Sequence, residues 1–590
     1  MTWQIALILI LVLATVVNFL LEFLTIEVFA LSLMGSLILF GLLTPEQAFQ
    51  GFSNPAVIMI AGAMVMTGSI IHNGAADLVA RRMHAAAGRS RNGLFLLLLG
   101  TVTSMSAFIN NVAATAMFIP VAEGISKRSR VNPRHYLMPL AFASMLGGVC
   151  TLIGTSTNVA VSGALAAYRL EPLGMFELTP LGLVIAPLGI AYLFLFSRFL
   201  LPKEVSEDRV ADYGIRDYLF EIQVEKDSPI TGLTIAASDL ALRFNLSILG
   251  IFRGPERILS PTKTEIIRAG DLLLVEGNVP RVMAGRLPRG LTVKMDPRLS
   301  GKDLESEGVR MVEATVSYNS PFIGRNPRDL NFRLRYELNV LALYRRGEAV
   351  VEKVGKISLR EGDVLLIQGR EDQLVKLLQE PTWLLIEDVV LPKYNPGRSL
   401  RALLVFGSAI GLGSLGIVPI PVAFLLGAVL TIVLRCFTCE AAERYLNLKL
   451  VLIVASMLSV SMALETTGAA AYLARHTVNL RQGFGPLALL AGVFLLTVLL
   501  TQPMSNSAAA LLMVPIGIHA ARLIGSDPRP FIVAIAVAAS CSFLTPLEPA
   551  CLLVFSTGKY HYADFLKFGL GLTFLVFILC LAFIPRFWPL

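Results

Sequence analysis

Four short segments carry the polar chemistry of an otherwise apolar chain. They are TSMSAFINN (103–111), TLIGTSTN (151–158), TQPMSNS (501–507) and FLTPLEPA (543–550). Each is polar, rich in helix breakers, and set inside a long apolar block. Side chains of Asn, Ser and Thr offer hard, neutral oxygens, and unwound backbone adds carbonyls; small alkali cations suit such ligands. The half-helix that follows each break presents bare N–H groups and a partial positive charge, which can hold an anion without Arg or Lys. Neither Arg nor Lys occurs in any of the four segments. A site that pairs a cation with an anion describes a cation-coupled anion carrier. A single Ser, Thr or Asn in a membrane helix often only bonds a neighbouring helix, but four matched segments ask for more. Glu548 is the one carboxylate among them. It has two readings: it binds a cation or carries a proton, or it caps a half-helix or reaches water.

Apolar elements must position these segments. Of 590 residues, 55% are hydrophobic and 16% charged, with a mean hydropathy of +0.68. A soluble chain of this length carries about a quarter charged residues. The apolar residues come in blocks of roughly 20, enough to span a bilayer core of about 30 Å. Such blocks fill 4–201 and 399–588, and the stretch between them, 203–396, is polar and charge-rich. This predicts a polytopic α-helical membrane protein with one large soluble insert. The first block starts at Trp3 with no basic leader and no small-residue cleavage site, so it reads as a retained helix. The net charge of +8 fits Lys and Arg collected in cytoplasmic loops, and no nucleic-acid partner is expected. Cys150, Cys541, Cys551 and Cys580 lie in apolar segments and read as small core residues. Cys436 and Cys439 form a lone CxxC with no second pair nearby.

The chain repeats itself twice over. In the insert, Ser228-Pro229, Arg243 and Gly270-Asp271 recur 92 residues later as Ser320-Pro321, Arg335 and Gly362-Asp363. Two copies of one β-rich fold with a helical stretch follow from this, with the Gly-Asp pairs at strand-reversing turns. In the apolar parts, Thr44 and Gly74 recur 394 residues later as Thr438 and Gly468. INNVAATAMFIP (109–120) recurs as MSNSAAALLMVP (504–515), 395 residues on. Internal repeats with broken helices are a mark of secondary transporters.

Each apolar half reads as about five crossings plus one further stretch. In the first half Arg81, Arg82, Arg89 and Arg91 precede that stretch, and Lys127, Arg128, Arg130 and Arg134 follow it. Basic residues on both sides put both ends in the cytoplasm, so the stretch enters and returns as a re-entrant hairpin. Five crossings is odd, so the second half is inverted relative to the first. The N-terminus then lies outside and the insert, 203–396, is cytoplasmic. Arg475, Arg481, Arg522 and Arg529 around the second hairpin run against this scheme. Arg435, Arg444, Lys449, Lys559 and Lys567 support it. The expected units are a first repeat 1–202 with hairpin 93–124, modules 207–292 and 298–390, and a second repeat 397–590 with hairpin 484–520.

The insert copies, with Ser-Pro-x-x-Gly, a β-run ending in Arg, and Gly-Asp-x-Leu-Leu, resemble the C-terminal module of regulators of potassium conductance (TrkA-C). That resemblance implies dimerisation and a nucleotide-type regulatory ligand. Both membrane halves, over most of their length, resemble the divalent anion/sodium symporters, carriers of sulfate, dicarboxylates and citrate. That family has a Ser-Asn-Thr-type motif at each hairpin tip. Ser505-Asn506-Ser507 is a close match, whereas Asn110-Asn111-Val112 matches only at the central Asn. The resemblance implies sodium ligands at Ser106 with Asn111, and at Thr501 with Asn506. Backbone near Gly154 to Asn158 and near Thr545 would complete these sites. Asn110, Asn111, Ser505, Asn506 and Ser507, with Thr155, would face the anion. The sequence departs from the family at Glu548-Pro549-Ala550, where Thr or Pro followed by Asn is usual, and at the lost hydroxyls of the first tip.

The expected function is sodium-coupled symport of a small dianion, sulfate before dicarboxylate, by a homodimer in the inner (plasma) membrane. No organic cofactor is expected. A proton-coupled or metalloid carrier of the same superfamily is the alternative. A potassium channel would need a filter-like pore loop, and an enzyme a metal triad, nucleophile–base pair or phosphate loop; the sequence has none of these.

Overall fold

The architecture is that of a computed structural model. It describes residues 2–74 (without 22), 91–200 (without 130), 219–294 (without 241–245, 255, 260, 263 and 277–289), 309–316 and 383–385. It also describes 320–374 (without 331, 333–335, 337, 346–347, 351–353 and 371–372) and 396–590 (without 480–484 and 559). The chain divides into two compact units. One comprises Met1–Pro202, Leu391–Val554 and Tyr560–Leu590, the other Lys203–Val390 and Phe555–Lys559.

The first unit is helical. Helices Trp3–Leu21, Ile26–Leu39, Pro45–Phe49 and Pro55–His72 are matched by Pro396–Ser414, Ile420–Val433, Cys439–Tyr445 and Leu448–Thr466. Two helical hairpins follow the same order, Arg91–Ser106 with Asn111–Ser129 and Pro486–Thr501 with Asn506–Leu523. Two interrupted helices come next, Arg134–Gly148 with Ser156–Ala164 and Pro528–Ala539 with Pro549–Thr557. Thr179–Leu200 and Tyr562–Phe587 close the halves. Four described helices are long and apolar enough to cross a bilayer by length and composition: Pro55–His72, Thr179–Phe199, Leu448–Thr466 and Tyr562–Phe587. Trp3–Phe19, Glu27–Leu39, Ile420–Val433, Pro486–Thr501 and Pro528–Ala539 are apolar but shorter.

Local chemistry sets the helix starts. Thr44 and Thr438, the repeat pair seen in the sequence, both cap their helices, accepting from the N–H of Gln47 and Ala441 at 3.3 Å. Asn54 and Asp527 cap helices that open with Pro55 and Pro528, where a missing N–H costs nothing. The halves pack on each other through Phe142, whose ring lies 5.1–5.8 Å from those of Phe543, Phe565 and Phe568. Polar clasps add to this. The Tyr560 hydroxyl accepts from Met138 N–H at 2.9 Å and donates to the Arg134 carbonyl. Arg529 donates twice to Glu177, both at 2.6 Å, and to the carbonyls of Glu171 and Pro172.

The second unit holds two five-stranded antiparallel sheets. In the first, β1 (Leu219–Val224), β2 (Ser247–Arg253), β3 (Glu256–Leu259), β4 (Leu272–Glu276) and β5 (Leu291–Lys294) lie in the order β3-β2-β4-β1-β5. In the second, β6 (Val309–Val316), β7 (Asn339–Arg345), β8 (Glu348–Ala349), β9 (Val364–Arg370) and β10 (Trp383–Leu385) lie in the order β10-β6-β9-β7-β8. Numbered within each module, the two orders are identical. Even the register shift recurs, at Ile248/Gly250 and at Val340/Ala342. Much of the chain between the strands, where helices are expected, lies outside the described residues, as do Arg243 and Arg335.

The Gly-Asp turns serve a buried brace. Arg253 donates to both oxygens of Asp271 at 2.8 and 2.9 Å, and to the Ile266 carbonyl at 3.0 Å. Arg345 does the same to Asp363 at 2.7 and 2.6 Å, and to the Ser358 carbonyl at 2.7 Å. The N–H groups of Arg268 and Arg360 complete the pattern, each 2.7 Å from its Asp. Burial pushes the Asp363 carboxyl up against the pull of Arg345, and Asp363 holds Arg345 above its ordinary range. Removing one partner of a buried pair strands the other and costs about 3 kcal/mol. Asp363→Ala should therefore abolish slow hydrogen exchange in β6, β7 and β9 of the full-length protein while β1, β2 and β4 keep theirs.

Candidate functional site

A backbone that breaks in an apolar setting must find its partners nearby. At the first hairpin tip, the hydroxyl that ends one helix holds the amide that starts the next: Ser106 Oγ donates to Asn111 Oδ1 at 3.0 Å, both buried. Asn110 Oδ1 accepts the Val112 N–H at 2.9 Å and caps the second arm. The second tip repeats this 395 residues on. Thr501 Oγ1 lies 2.8 Å from Asn506 Oδ1 and 2.9 Å from the Ala539 carbonyl, within reach of both, and Ser505 Oγ accepts the Ala508 N–H at 3.3 Å.

Each interrupted helix wraps its own half's tip. In the first half, Thr151 Oγ1 donates to the Ala107 carbonyl and accepts the Gly154 N–H at 3.2 Å. A Cβ on Gly148 would stand 2.3 Å from Asn111 Oδ1, and one on Gly154 would stand 2.6 Å from the Gly148 carbonyl. Thr155 caps helix Ser156–Ala164, accepting the Thr157 N–H at 3.4 Å. Asn158 is wholly buried; its Nδ2 donates to the carbonyls of Gly148 at 3.2 Å and Thr151 at 2.9 Å. Its Oδ1 has no hydrogen-bond partner in the protein. A buried acceptor without a donor is costly, and a cation satisfies it.

In the second half, Ser542 Oγ donates to Asn506 Oδ1 at 3.1 Å, and Thr545 Oγ1 lies 3.3 Å from the Gln502 carbonyl. Glu548 caps helix Pro549–Thr557: its Oε2 accepts the N–H groups of Ala550 at 2.7 Å and Cys551 at 3.2 Å. Of the two readings of Glu548, helix capping is the one this geometry displays. The two centres touch where Ser156 Oγ approaches Ser507 Oγ at 3.4 Å.

The structure thus gathers Ser106, Asn111, Gly154 and Asn158 in one place, and Thr501, Asn506 and Thr545 in another, with Ser507 linking the two. Asn110, Ser505, Thr155 and Glu548 are the helix caps around them. Sequence reasoning missed Thr151, Ser156, Gln502 and Ser542. Thr151 and Ser156 lie inside TLIGTSTN, and Gln502 beside Thr501, so the segments contained them. Ser542, one residue outside its segment, had no such signal. Among the described residues no three His, Cys, Asp or Glu side chains are grouped to hold a metal ion.

Two sets of apolar helices in matching order, broken at matched points around buried side-chain oxygens, define a membrane transporter. The pattern of the citrate transporter family matches residues 9–538, and the chain belongs to that family. It is a transporter and not an enzyme. It is 29% identical over 581 residues to an uncharacterized transporter, sll0640, of Synechocystis, covering 97% of this chain and 95% of that one. It is 28% identical to the uncharacterized transporter YfbS of Escherichia coli, covering 95% of each. A sodium/sulfate cotransporter 2 of Chlamydomonas reinhardtii is 22% identical, with 90% of this chain and 83% of that one covered.

Gly148 offers a steric test of this arrangement. Gly148→Ala pushes a methyl into Asn111 and breaks its bond with Ser106. Disturbing a residue that orients a ligand costs about tenfold or more. Uptake by vesicles carrying the variant, at matched protein level, should fall by at least that factor with the elution volume of the purified protein unchanged.

Proposed function

We propose that this protein is a secondary active transporter that couples sodium entry to uptake of a small dianion, with sulfate preferred over dicarboxylates. The observation that carries the reading is Asn158 Oδ1, buried without a donor in the same place as the Ser106–Asn111 pair. A hard cation held by neutral oxygens fits that place. Ser106, Asn111, Asn158 and the backbone at Gly154 would form the first sodium site; Thr501, Asn506 and Thr545 the second. Helix starts at Asn111, Asn506 and Ser156 direct partial positive charge toward the anion, with Asn110, Ser505, Ser507 and Thr155 beside it. The name of the Chlamydomonas relative supports both sodium and sulfate. The two halves form inverted repeats of five crossings with one re-entrant hairpin each. The protein works as a homodimer in the inner membrane, with the TrkA-C-like modules of 203–396 on the cytoplasmic side as a regulatory part.

Reconstituted protein given labelled sulfate or succinate, with a sodium gradient, a proton gradient or none, tests this. Sulfate uptake should rise with inward sodium alone. Asn158→Ala should weaken the apparent sodium affinity by about 10–100-fold, and Asn111→Ala and Asn506→Ala should each abolish concentrative uptake. Uptake driven by protons and indifferent to sodium would replace the reading with a proton-coupled carrier. Normal uptake in both Asn variants would remove the site.

A further inference from the structure

The two halves of the candidate site are not chemically equal, and the duplication shows where they part. Helices Ser156–Ala164 and Pro549–Thr557 each have nine residues. Counted from the helix start, Thr155 and Glu548 hold the same cap position, Ser156 and Pro549 the first helical position, and Asn158 and Cys551 the third. In the hairpins the offset is 395, so Ser507 corresponds to Val112. The contact between Ser156 Oγ and Ser507 Oγ, at 3.4 Å, joins one helix start from each half and puts two hydroxyls together. The counterparts of those residues are Pro549 and Val112, which have no side-chain donor, and the Val112 N–H is already bonded to Asn110.

The caps differ in the same sense. Thr155 caps its helix with a neutral hydroxyl. Glu548, buried, caps its own with a carboxylate that occupies the N–H groups of Ala550 and Cys551. At that helix start the donors an anion would use are held by an anion of the chain. The residues three positions past the caps follow suit. Asn158 keeps an unpartnered oxygen, whereas the Cys551 thiol lies 3.5 Å from Met145 Sδ. One end of the site keeps unused polar capacity, and the other has been filled.

We propose that Glu548 sets the length of the transported anion, its carboxylate standing where a second carboxylate of an extended dianion would bind. A compact oxyanion uses the Ser156–Ser507 end alone and avoids Glu548. An extended dicarboxylate reaches both ends and meets buried like charge, a repulsive element of the kind that gives specificity. This inference rests on the reading above that the tips hold the anion, and it names the residue that chooses among anions.

The test is competition in proteoliposomes of the full-length protein. Labelled sulfate uptake is challenged with succinate in the unaltered protein, in Glu548→Thr and in Glu548→Gln. Thr recreates the neutral cap of the first half, and Gln keeps a cap acceptor while removing the charge. The unaltered protein should need at least tenfold more succinate than sulfate for half-inhibition. That ratio should fall at least tenfold in Glu548→Thr and in the same direction in Glu548→Gln. A ratio unchanged within twofold in both variants overturns the proposal, as does equal acceptance of both anions by the unaltered protein. If the unaltered protein carries no sulfate, the sodium–sulfate reading falls and Glu548 is judged by thermal stabilisation. Succinate stabilising Glu548→Thr but not the unaltered protein supports its role; succinate stabilising neither overturns it.

Discussion

The first unit of this protein depends on one hydrogen bond made twice. In each hairpin a hydroxyl at the end of one helix holds the amide oxygen at the start of the next, Ser106 to Asn111 and Thr501 to Asn506. Without such a bond a chain reversing among apolar neighbours would leave donors and acceptors unmatched, each at a cost of several kcal/mol. The surrounding sequence answers to that bond. A Cβ on Gly147 would lie 2.1 Å from the Thr103 carbonyl, and one on Gly148 would strike Asn111. Only glycine lets the interrupted helix come this close to the tip. At Asn111 the bond takes one of the two lone pairs of the amide oxygen, whereas Asn506 Oδ1 accepts from both Thr501 and Ser542.

The insert shows the same economy with different chemistry. Its sheets are ordinary antiparallel ladders, yet each is closed by an Arg at the end of the second strand, locked on an Asp at the start of the fourth. The Arg also reaches a carbonyl, and the Asp also accepts a backbone N–H. Such a fully satisfied fork tolerates burial. It explains why the Gly-Asp turn recurs when so much of the intervening sequence differs: the Gly takes a positive φ of 89° at Gly270 and 77° at Gly362, and the Asp is the brace.

Much of this was legible in the residues themselves. Apolar block length announced membrane helices, and breaker-rich polar segments marked where those helices part. The offset of 92 in the insert, and offsets of 394 and 395 in the apolar parts, pointed to both duplications. What stayed hidden was pairing across distance. TLIGTSTN contains both Thr151 and Asn158, but nothing in its spacing says that Thr151 bonds Ala107 while Asn158 keeps a lone oxygen. The β-run ending in Arg was visible in each module, but its Asp partner, 18 residues on, follows only from strand order. Glu548 was legible as an anomaly, and two readings stayed open. The distance from its Oε2 to two N–H groups displays the capping one.

A duplicated gene product begins with two equal halves, and a carrier has no need to keep them so. Two helix starts with neutral caps would present similar positive fields to a ligand, suiting an anion charged at both ends. Replacing one neutral cap by a carboxylate cancels one field locally without unwinding the helix, because Asp and Glu are themselves favourable at a helix N-terminus. The bonds from Ala550 and Cys551 to Glu548 keep that helix start closed, and under the proposed role its charge is what acts on the ligand. Under the proposed function the Glu548 end can carry a difference in anion choice, whereas Asn111 and Asn506 also close the hairpin tips.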